Sequence, residues 1–196
     1  MSENFIFGYG SLMSKESRAK TGMTGDAIPV RVKGLQRAWN QVIPNAFVTA
    51  LGVVFEEEAF CNGVIIPIAE SQLPNFDKRE SDGGYFRIQL QRDLIDSFGM
   101  HLPEGIIWVY ITDNPGFPSD QFPLIQSYAD VALTGCFEYG EAFAKEFIAT
   151  TKGWDTSWLN DRTNPRYPRA MKEVPLASVF DALLQSLIPE AFNKRK

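Results

Sequence analysis

A glycine-rich turn and a lone carboxylate are the groups in this chain whose type and spacing could do chemistry. The turn is Gly8-Tyr9-Gly10-Ser11-Leu12. Glycines at the end of a strand allow positive φ and let the backbone come close to a ligand. Successive N–H groups in such a turn can converge on an anion or a developing oxyanion. An ordinary strand-ending turn accounts for the same residues. The carboxylate is Glu80, within Phe76-Asp77-Lys78-Arg79-Glu80-Ser81-Asp82-Gly83-Gly84-Tyr85. Leu73, Phe76 and Glu80 are spaced i, i+3 and i+7, so a helix here places Glu80 on its apolar stripe. Asp77, Lys78 and Arg79 are expected to point more outward. An inward carboxylate without a basic neighbour on its face is desolvated. Its pKa then rises above the reference of about 4.3, which suits a general acid/base near neutral pH. The competing reading makes Glu80 a helix-end residue, capped by a backbone group or paired with Arg87 across the turn. Tyr85, after the Gly83-Gly84 turn, and Tyr128 could each line a pocket or close a core edge, and spacing leaves both open.

Other chemistries lack their residues. The chain has no phosphate-binding G-x-x-x-x-G-K-[ST], no G-x-G-x-x-G opening a helix and no H-E-x-x-H. The single histidine, His101, falls beside Leu102-Pro103 in an expected loop, and any histidine-activated nucleophile would have to use it. Ser11 is not set in a G-x-S-x-G elbow. One histidine and two distant cysteines, Cys61 and Cys136, do not have zinc-site spacing or a C-x-x-C pair, so no metal is expected.

The elements that must hold these residues can be read from pattern. Short apolar and aromatic runs predict strands over 4–9, 35–39, 50–55, 63–68, 85–90 and 106–112. In the fifth, alternation puts Phe86, Ile88 and Leu90 on the core face and Tyr85, Arg87 and Gln89 on the other. Helices are predicted over 71–79, with Ser71 as N-cap and Pro74 in the first turn, over 138–151, and over 179–187. In the second, Tyr139, Phe143 and Phe147 share a face and Glu141 pairs with Lys145. Six strands in the first 112 residues, few of them separated by helices, argue for an α+β fold. Its small mixed, largely antiparallel β-sheet curls into a barrel with flanking α-helices.

At 196 residues the chain is read as one domain over 1–196, with 153–196 a C-terminal arm and helix packing on it. Lys and Arg number 19 against 24 Asp and Glu, a net charge of −5, which disfavours a nucleic-acid partner. No apolar run reaches the roughly 18 residues of a membrane span. The N-terminus shows no secretory pattern, so a cytoplasmic location is expected. Asn193-Lys194-Arg195-Lys196 is expected to be a solvated tail.

Taken together, Phe7-Gly8-Tyr9-Gly10-Ser11-Leu12, Asp77-Lys78-Arg79-Glu80 and Gly83-Gly84-Tyr85 resemble the gamma-glutamylcyclotransferase superfamily. Arg37-Ala38-Trp39, Gly63-Val64, Tyr110-Ile111, Tyr128 and Leu133-Thr134-Gly135-Cys136 extend the resemblance over residues 5 to about 150. It implies that Glu80 is the acid/base, that Tyr9, Gly10, Ser11 and Leu12 form a backbone cradle, and that Tyr85 and Tyr128 line a glutamyl pocket. It also implies a small mixed-sheet barrel and conversion of a gamma-glutamyl amide to 5-oxoproline without metal or organic cofactor. A non-catalytic binding member of the same fold is the alternative. The chain lacks the extra Asn between Ser and Leu of the cytosolic gamma-glutamyl amino acid type and is closer to the glutathione-acting ChaC type. The segment 158–169 matches neither type. Its Arg162, Arg166 and Arg169 could read a carboxylate on the substrate, or belong to a rigid Pro-containing arm packed on the body.

Overall fold

The computed structural model describes residues 3–196. Met1 and Ser2, included in the single-domain expectation, lie outside the described residues. The strands are β1 (Asn4–Gly8), β2 (Ile28–Ile43), β3 (Val48–Ile68), β4 (Tyr85–Gln89), β5 (Ile95–Asp96), β6 (Ile106–Thr112), β7 (Leu124–Ile125) and β8 (Trp158–Leu159). The helices are α1 (Lys15–Ala19), α2 (Leu73–Ser81), α3 (Gln126–Phe137), α4 (Glu141–Thr150), α5 (Ala177–Leu187) and α6 (Pro189–Asn193). The fold is α+β, as expected.

β1 runs through the middle of the sheet, antiparallel to β3 on one side and parallel to β6 on the other. All five of its residues are buried, which is why it reads as a continuous apolar run and not as an alternation. The path β4-β6-β1-β3-β2-β5 curls into a half-barrel, and β7 and β8 extend it from β3. The two expected strands over 50–55 and 63–68 are one strand, β3, and 35–39 is the middle of a longer β2. Leu35 pairs with Phe55 and Lys33 with Phe60, so Glu56 to Ala59 bulge out opposite Gly34. The charged bulge interrupts the apolar pattern without ending the strand.

The first half of β4 reverses the predicted face, whereas further along Ile88 packs on the core, Leu90 is buried and Gln89 is exposed, as predicted. Phe86 is 40 % exposed, while Tyr85 and Arg87 turn inward toward β3 and α2. β4 is an edge strand and its inner neighbours are polar: Tyr85 Oη donates to the Leu51 carbonyl at 2.6 Å, and Arg87 grips Asp77 at 2.8 and 2.9 Å. The apolar residue is therefore the one left outside.

α2 follows a short tight turn over Glu70–Gln72 and carries Pro74 in its first turn. It starts at Leu73 and Ser71 makes no side-chain cap, which corrects the predicted start. α4 begins at Glu141, after Tyr139. Phe143 and Phe147 are buried and Glu141 meets Lys145 at 2.8 Å. α3 is absent from the sequence reading. Ten of its twelve residues are buried, so it presents no polar stripe from which a helical period could be read.

Of the expected solvated tail, Asn193, Lys194 and Lys196 are exposed, but the chain end is pinned to the body. Lys196 N–H donates to the Trp158 carbonyl at 2.9 Å, and the Lys196 carbonyl accepts from Asn160 N–H at 2.7 Å. Arg195 bonds Gln126 at 2.6 Å and stacks over Phe192 at 4.2 Å. Among the described residues no helix is long and apolar enough to cross a membrane.

Candidate active site

The chain leaves β1 at Gly8 and turns back through Ser11–Met13 beneath the curled sheet. Neither Gly8 nor Gly10 has a positive φ, contrary to one expectation for this turn. What Gly10 requires is space. A Cβ built there would sit 2.6 Å from the Tyr128 hydroxyl oxygen, so no side chain fits while that tyrosine stays in place. Tyr128 is held by edge-on contacts, with ring centroids 5.5 Å from Trp39 and 4.8 Å from Tyr167.

The turn is braced from behind by Arg37, which is fully buried in β2. Its guanidinium donates to the carbonyls of Tyr9 at 3.2 Å, Asn62 at 2.6 Å and Phe147 at 3.1 Å. It also donates to the hydroxyls of Thr150 at 3.0 Å and Thr151 at 2.7 Å. Arg37 is part of the Arg37-Ala38-Trp39 match, but nothing in its spacing announced this bracing.

Glu80 comes from the last turn of α2. Phe76 lies one turn earlier at 0 % exposure, and burying such a ring stabilises the helix docking by roughly 1.5–3 kcal/mol. Lys78 pairs with Asp82 at 3.0 Å on the outer face, and the helix closes with the Asp82 amide on the Lys78 carbonyl and the Gly83 amide on the Glu80 carbonyl, each at 3.0 Å. Gly84 then adopts φ +82, which turns the chain sharply into β4 and brings Tyr85 beside Glu80. The Glu80 side chain is only 14 % exposed. Arg87 is not its partner, because Asp77 takes Arg87 and also accepts from the Tyr110 hydroxyl at 2.8 Å.

Arg79 corrects the outward placement made from the sequence. It is buried, with Nε 3.1 Å from a Glu80 carboxylate oxygen. The same guanidinium donates to Ser11 Oγ at 3.0 Å, Thr21 Oγ1 at 2.6 Å and the Ser17 carbonyl at 3.2 Å. It thus ties the Glu80 carboxylate to the turn. Glu80 still sits above the usual carboxylate range, because burial penalises its charge more than the opposed charges of Arg79 and Arg169 favour it.

Gly8, Tyr9, Gly10, Ser11, Leu12, Glu80, Tyr85 and Tyr128 line one hollow of about 20 Å³, together with Phe7, Leu51 and Tyr110. All seven residues singled out as site candidates are thus brought together. A larger cavity of about 180 Å³ adjoins it and shares Ser11, Glu80, Tyr85 and Tyr128 as lining. Its outer wall includes Arg79, Tyr167, Pro168 and Arg169. The inner space holds about one water; the outer one accommodates a small organic group.

Burial raises the hydroxyl pKa values of Tyr9, Tyr85, Tyr110 and Tyr128, so all four stay neutral at physiological pH. Tyr9 Oη donates to the Tyr110 carbonyl at 2.7 Å, which fixes the turn to β6. The Tyr128 hydroxyl accepts from Ser11 N–H at 3.4 Å. That separation is long for an N–H···O bond, so a ligand oxygen can displace it. Cys61 and Cys136 are buried and free, and burial raises both thiols above their ordinary pKa. His101 lies exposed in a loop, away from the hollow. Among the described residues no group of three or more His, Cys, Asp or Glu could hold a metal ion.

Solved structures with this architecture exist. One described as a gamma-glutamyl cyclotransferase superposes with a TM-score of 0.61 at 15% identity, covering 76% of this chain and 88% of its own. This chain has the gamma-glutamyl cyclotransferase fold. An uncharacterized protein from Homo sapiens is similar at TM-score 0.57 and 15% identity, over 76% of this chain and 89% of that one. YkqA from Bacillus subtilis is similar at 0.55 and 18%, over 78% of this chain and 57% of that one. No protein-family model matches the chain, and no curated protein does. At such identities the likeness is one of fold, and the chemistry has to be argued from the hollow.

Proposed function

We propose that this protein is a gamma-glutamyl cyclotransferase, acting on a gamma-glutamyl peptide, amino acid or amine. The observation that carries the reading is the meeting of a desolvated Glu80 with the Gly8–Leu12 turn in one hollow.

The reaction is an intramolecular aminolysis. The α-nitrogen of the substrate attacks its own side-chain amide carbonyl, the new C–N bond closes the five-membered ring of 5-oxoproline, and the old amide C–N bond breaks. Two protons leave the α-nitrogen, which ends as a lactam N–H, and two reach the departing nitrogen, which ends as an ammonium. Nucleophile and electrophile share one molecule, so the protein's first task is to hold the folded-back conformer. Effective molarities of about 10⁵ M or more attend such alignment. Its second task is proton transfer. Glu80 takes a proton from the α-nitrogen and delivers it to the leaving nitrogen, and a raised pKa keeps both of its states accessible near neutrality. Tyr9, Gly10, Ser11 and Leu12 form the cradle, where the Ser11 N–H turns from Tyr128 to the oxyanion; a well-placed donor of this kind contributes roughly 3–4 kcal/mol. Tyr85 and Tyr128 wall the glutamyl pocket. The chemistry uses no metal or organic cofactor in any of these steps.

The test is release of 5-oxoproline from a panel of gamma-glutamyl peptides, amino acids and amines. Turnover of at least one that disappears in Glu80→Gln supports the reading, and Glu80→Gln with the wild-type rate overturns the assignment. A second reading, a binding module on this fold, draws on the inner hollow being no larger than a water. It is favoured if the panel binds and no 5-oxoproline appears.

A further inference from the structure

Four arginines lie near the C-terminal end of the chain, and three of them are accounted for. Arg162 is committed to Asp130 at 2.7 Å and Asp181 at 2.7 Å. Arg195 holds Gln126 and Asp181. Arg166 is exposed. Arg169 is different. It is half-buried in the wall of the outer cavity, opposite the part of the site that carries Glu80 and Ser11. Among the described residues its guanidinium has no hydrogen bond and no ion pair. Asp82, the other acid lining that cavity, is already paired with Lys78.

A guanidinium that lines a cavity and is engaged by no protein acceptor keeps its donors for a ligand, and a planar carboxylate takes two of them at once. The backbone that carries it is fixed in advance. Ala170 N–H closes a turn onto the Tyr167 carbonyl at 3.0 Å, Tyr167 packs on Tyr128, and Asp161 holds the Arg166 and Ser127 amides at 2.8 and 2.7 Å. Arg169 is confined to the outer cavity and does not line the inner hollow. A glutamyl group seated against the turn therefore projects its leaving portion toward Arg169.

The geometry points to Arg169 as a specificity-determining residue that selects gamma-glutamyl compounds whose leaving amine bears a carboxylate. This rests on the cyclotransferase reading. It adds that the arm, and not the barrel, chooses the leaving group.

The experiment compares γ-glutamylglycine, whose leaving amine carries a carboxylate, with the γ-glutamyl methylamide, whose leaving amine does not. 5-Oxoproline release gives kcat/KM for each with wild type, Arg169→Met and Arg169→Lys. The expected result is a wild-type preference for γ-glutamylglycine that falls by about tenfold or more in Arg169→Met, the scale of one charge-assisted contact, and is partly recovered in Arg169→Lys. A merely structural role lowers both values and leaves their ratio alone. A mere influence on Glu80 shifts the pH profile of both substrates together. Either pattern, or a wild type without the preference, overturns the inference. A wild type that turns over neither these two compounds nor any other member of the panel overturns the cyclotransferase reading instead. Calorimetry of the same two compounds on wild type and Arg169→Met then decides the inference. Tighter binding of γ-glutamylglycine that Arg169→Met abolishes upholds it; equal binding, or none, overturns it.

Discussion

Two opposed influences meet at Glu80, and their balance sets its protonation and its contribution to stability. Arg79 lies 3.1 Å away and Arg169 faces the same cavity, yet burial dominates and the carboxyl titrates above its ordinary value of 4.5. The native state therefore holds this proton more tightly than the unfolded chain does. The stability it contributes is fully present below about pH 4.5 and is lost as pH rises through the raised native value. Glu80→Gln should accordingly lower kcat by about 10²–10⁴, the usual range for a general acid/base, and raise Tm at pH 7. The difference in Tm should close as pH falls toward 4. Calorimetric scans at both pH values read this directly, with about 1 kcal/mol appearing as roughly 2–4 °C in a chain of this size; a Tm that drops at pH 7 contradicts the desolvation account. Gly10 supports a second prediction. A Cβ there meets the Tyr128 hydroxyl at 2.6 Å, and Tyr128 cannot swing aside because Trp39 and Tyr167 flank its ring. Gly10→Ala should cost about 1–3 kcal/mol by overpacking. Adding Tyr128→Phe removes the clashing atom and should restore most of that loss, a coupling that urea midpoints of the four proteins in the cycle measure.

At the scale of elements, the site is held by side chains that reach across the fold, and these are the ones the sequence hid. Glu80 was legible because Leu73 and Phe76 place it on the buried face of α2, and the turn was legible because Gly8 and Gly10 flank Tyr9. Arg79 was not, since a long cation on a helix normally goes to solvent. Its partners Ser11, Ser17 and Thr21 are 58 to 68 residues distant in the chain, and no local pattern records them. α3 escaped for the opposite reason: burial on nearly every side erases the period on which helix reading depends. β4 meets its predicted face only in part: Phe86 is exposed and Leu90 buried, because polar partners of Tyr85 and Arg87 on the inner side override the alternation at one end of an edge strand. Arg37 is the clearest case of a hidden brace. It links β2 to the turn at Tyr9, to β3 at Asn62 and to α4 at Phe147 and Thr150. Arg37→Met should destabilise the protein by about 3 kcal/mol or more, because several buried acceptors lose their donor together. Arg37→Lys should recover little, since three point-charge donors do not reproduce the planar fork. Chemical denaturation of the three proteins tests this, and a fully stable Arg37→Lys would refute the geometric argument.

Across the whole molecule, the segment that resembles neither family type is the one that closes the site. The arm threads β8 onto β7, and Asp161 accepts from the Ser127 amide at 2.7 Å and hydroxyl at 2.6 Å, where its charge favours the N-terminal end of α3. Tyr128 sits one residue further along that helix. The Pro-containing segment is anchored through Asp161 and Tyr167, and of its arginines Arg169 alone lines the outer cavity. Asp181 in α5 is the node of this region, 2.7 Å from Arg162 and 3.3 Å from Arg195. Arg162 keeps the buried Asp130 when Asp181 is lost, and Asp181 itself is about a third exposed, so the pair energy is screened. Asp181→Asn should therefore cost only about 1 kcal/mol, but the loss is localised: the arm loosens first. Proteolytic cleavage within 160–176 should accelerate, and KM for a gamma-glutamyl substrate should rise with little change in kcat, because the wall at Tyr167 moves while Glu80 and the turn stay braced by Arg79 and Arg37. Asp120→Asn is the comparison, as its pair with Lys196 is open to solvent on both sides and its loss should leave cleavage and KM where they are. Should Asp181→Asn lower kcat and leave both cleavage and KM unaltered, the arm would have no part in closing the cavity.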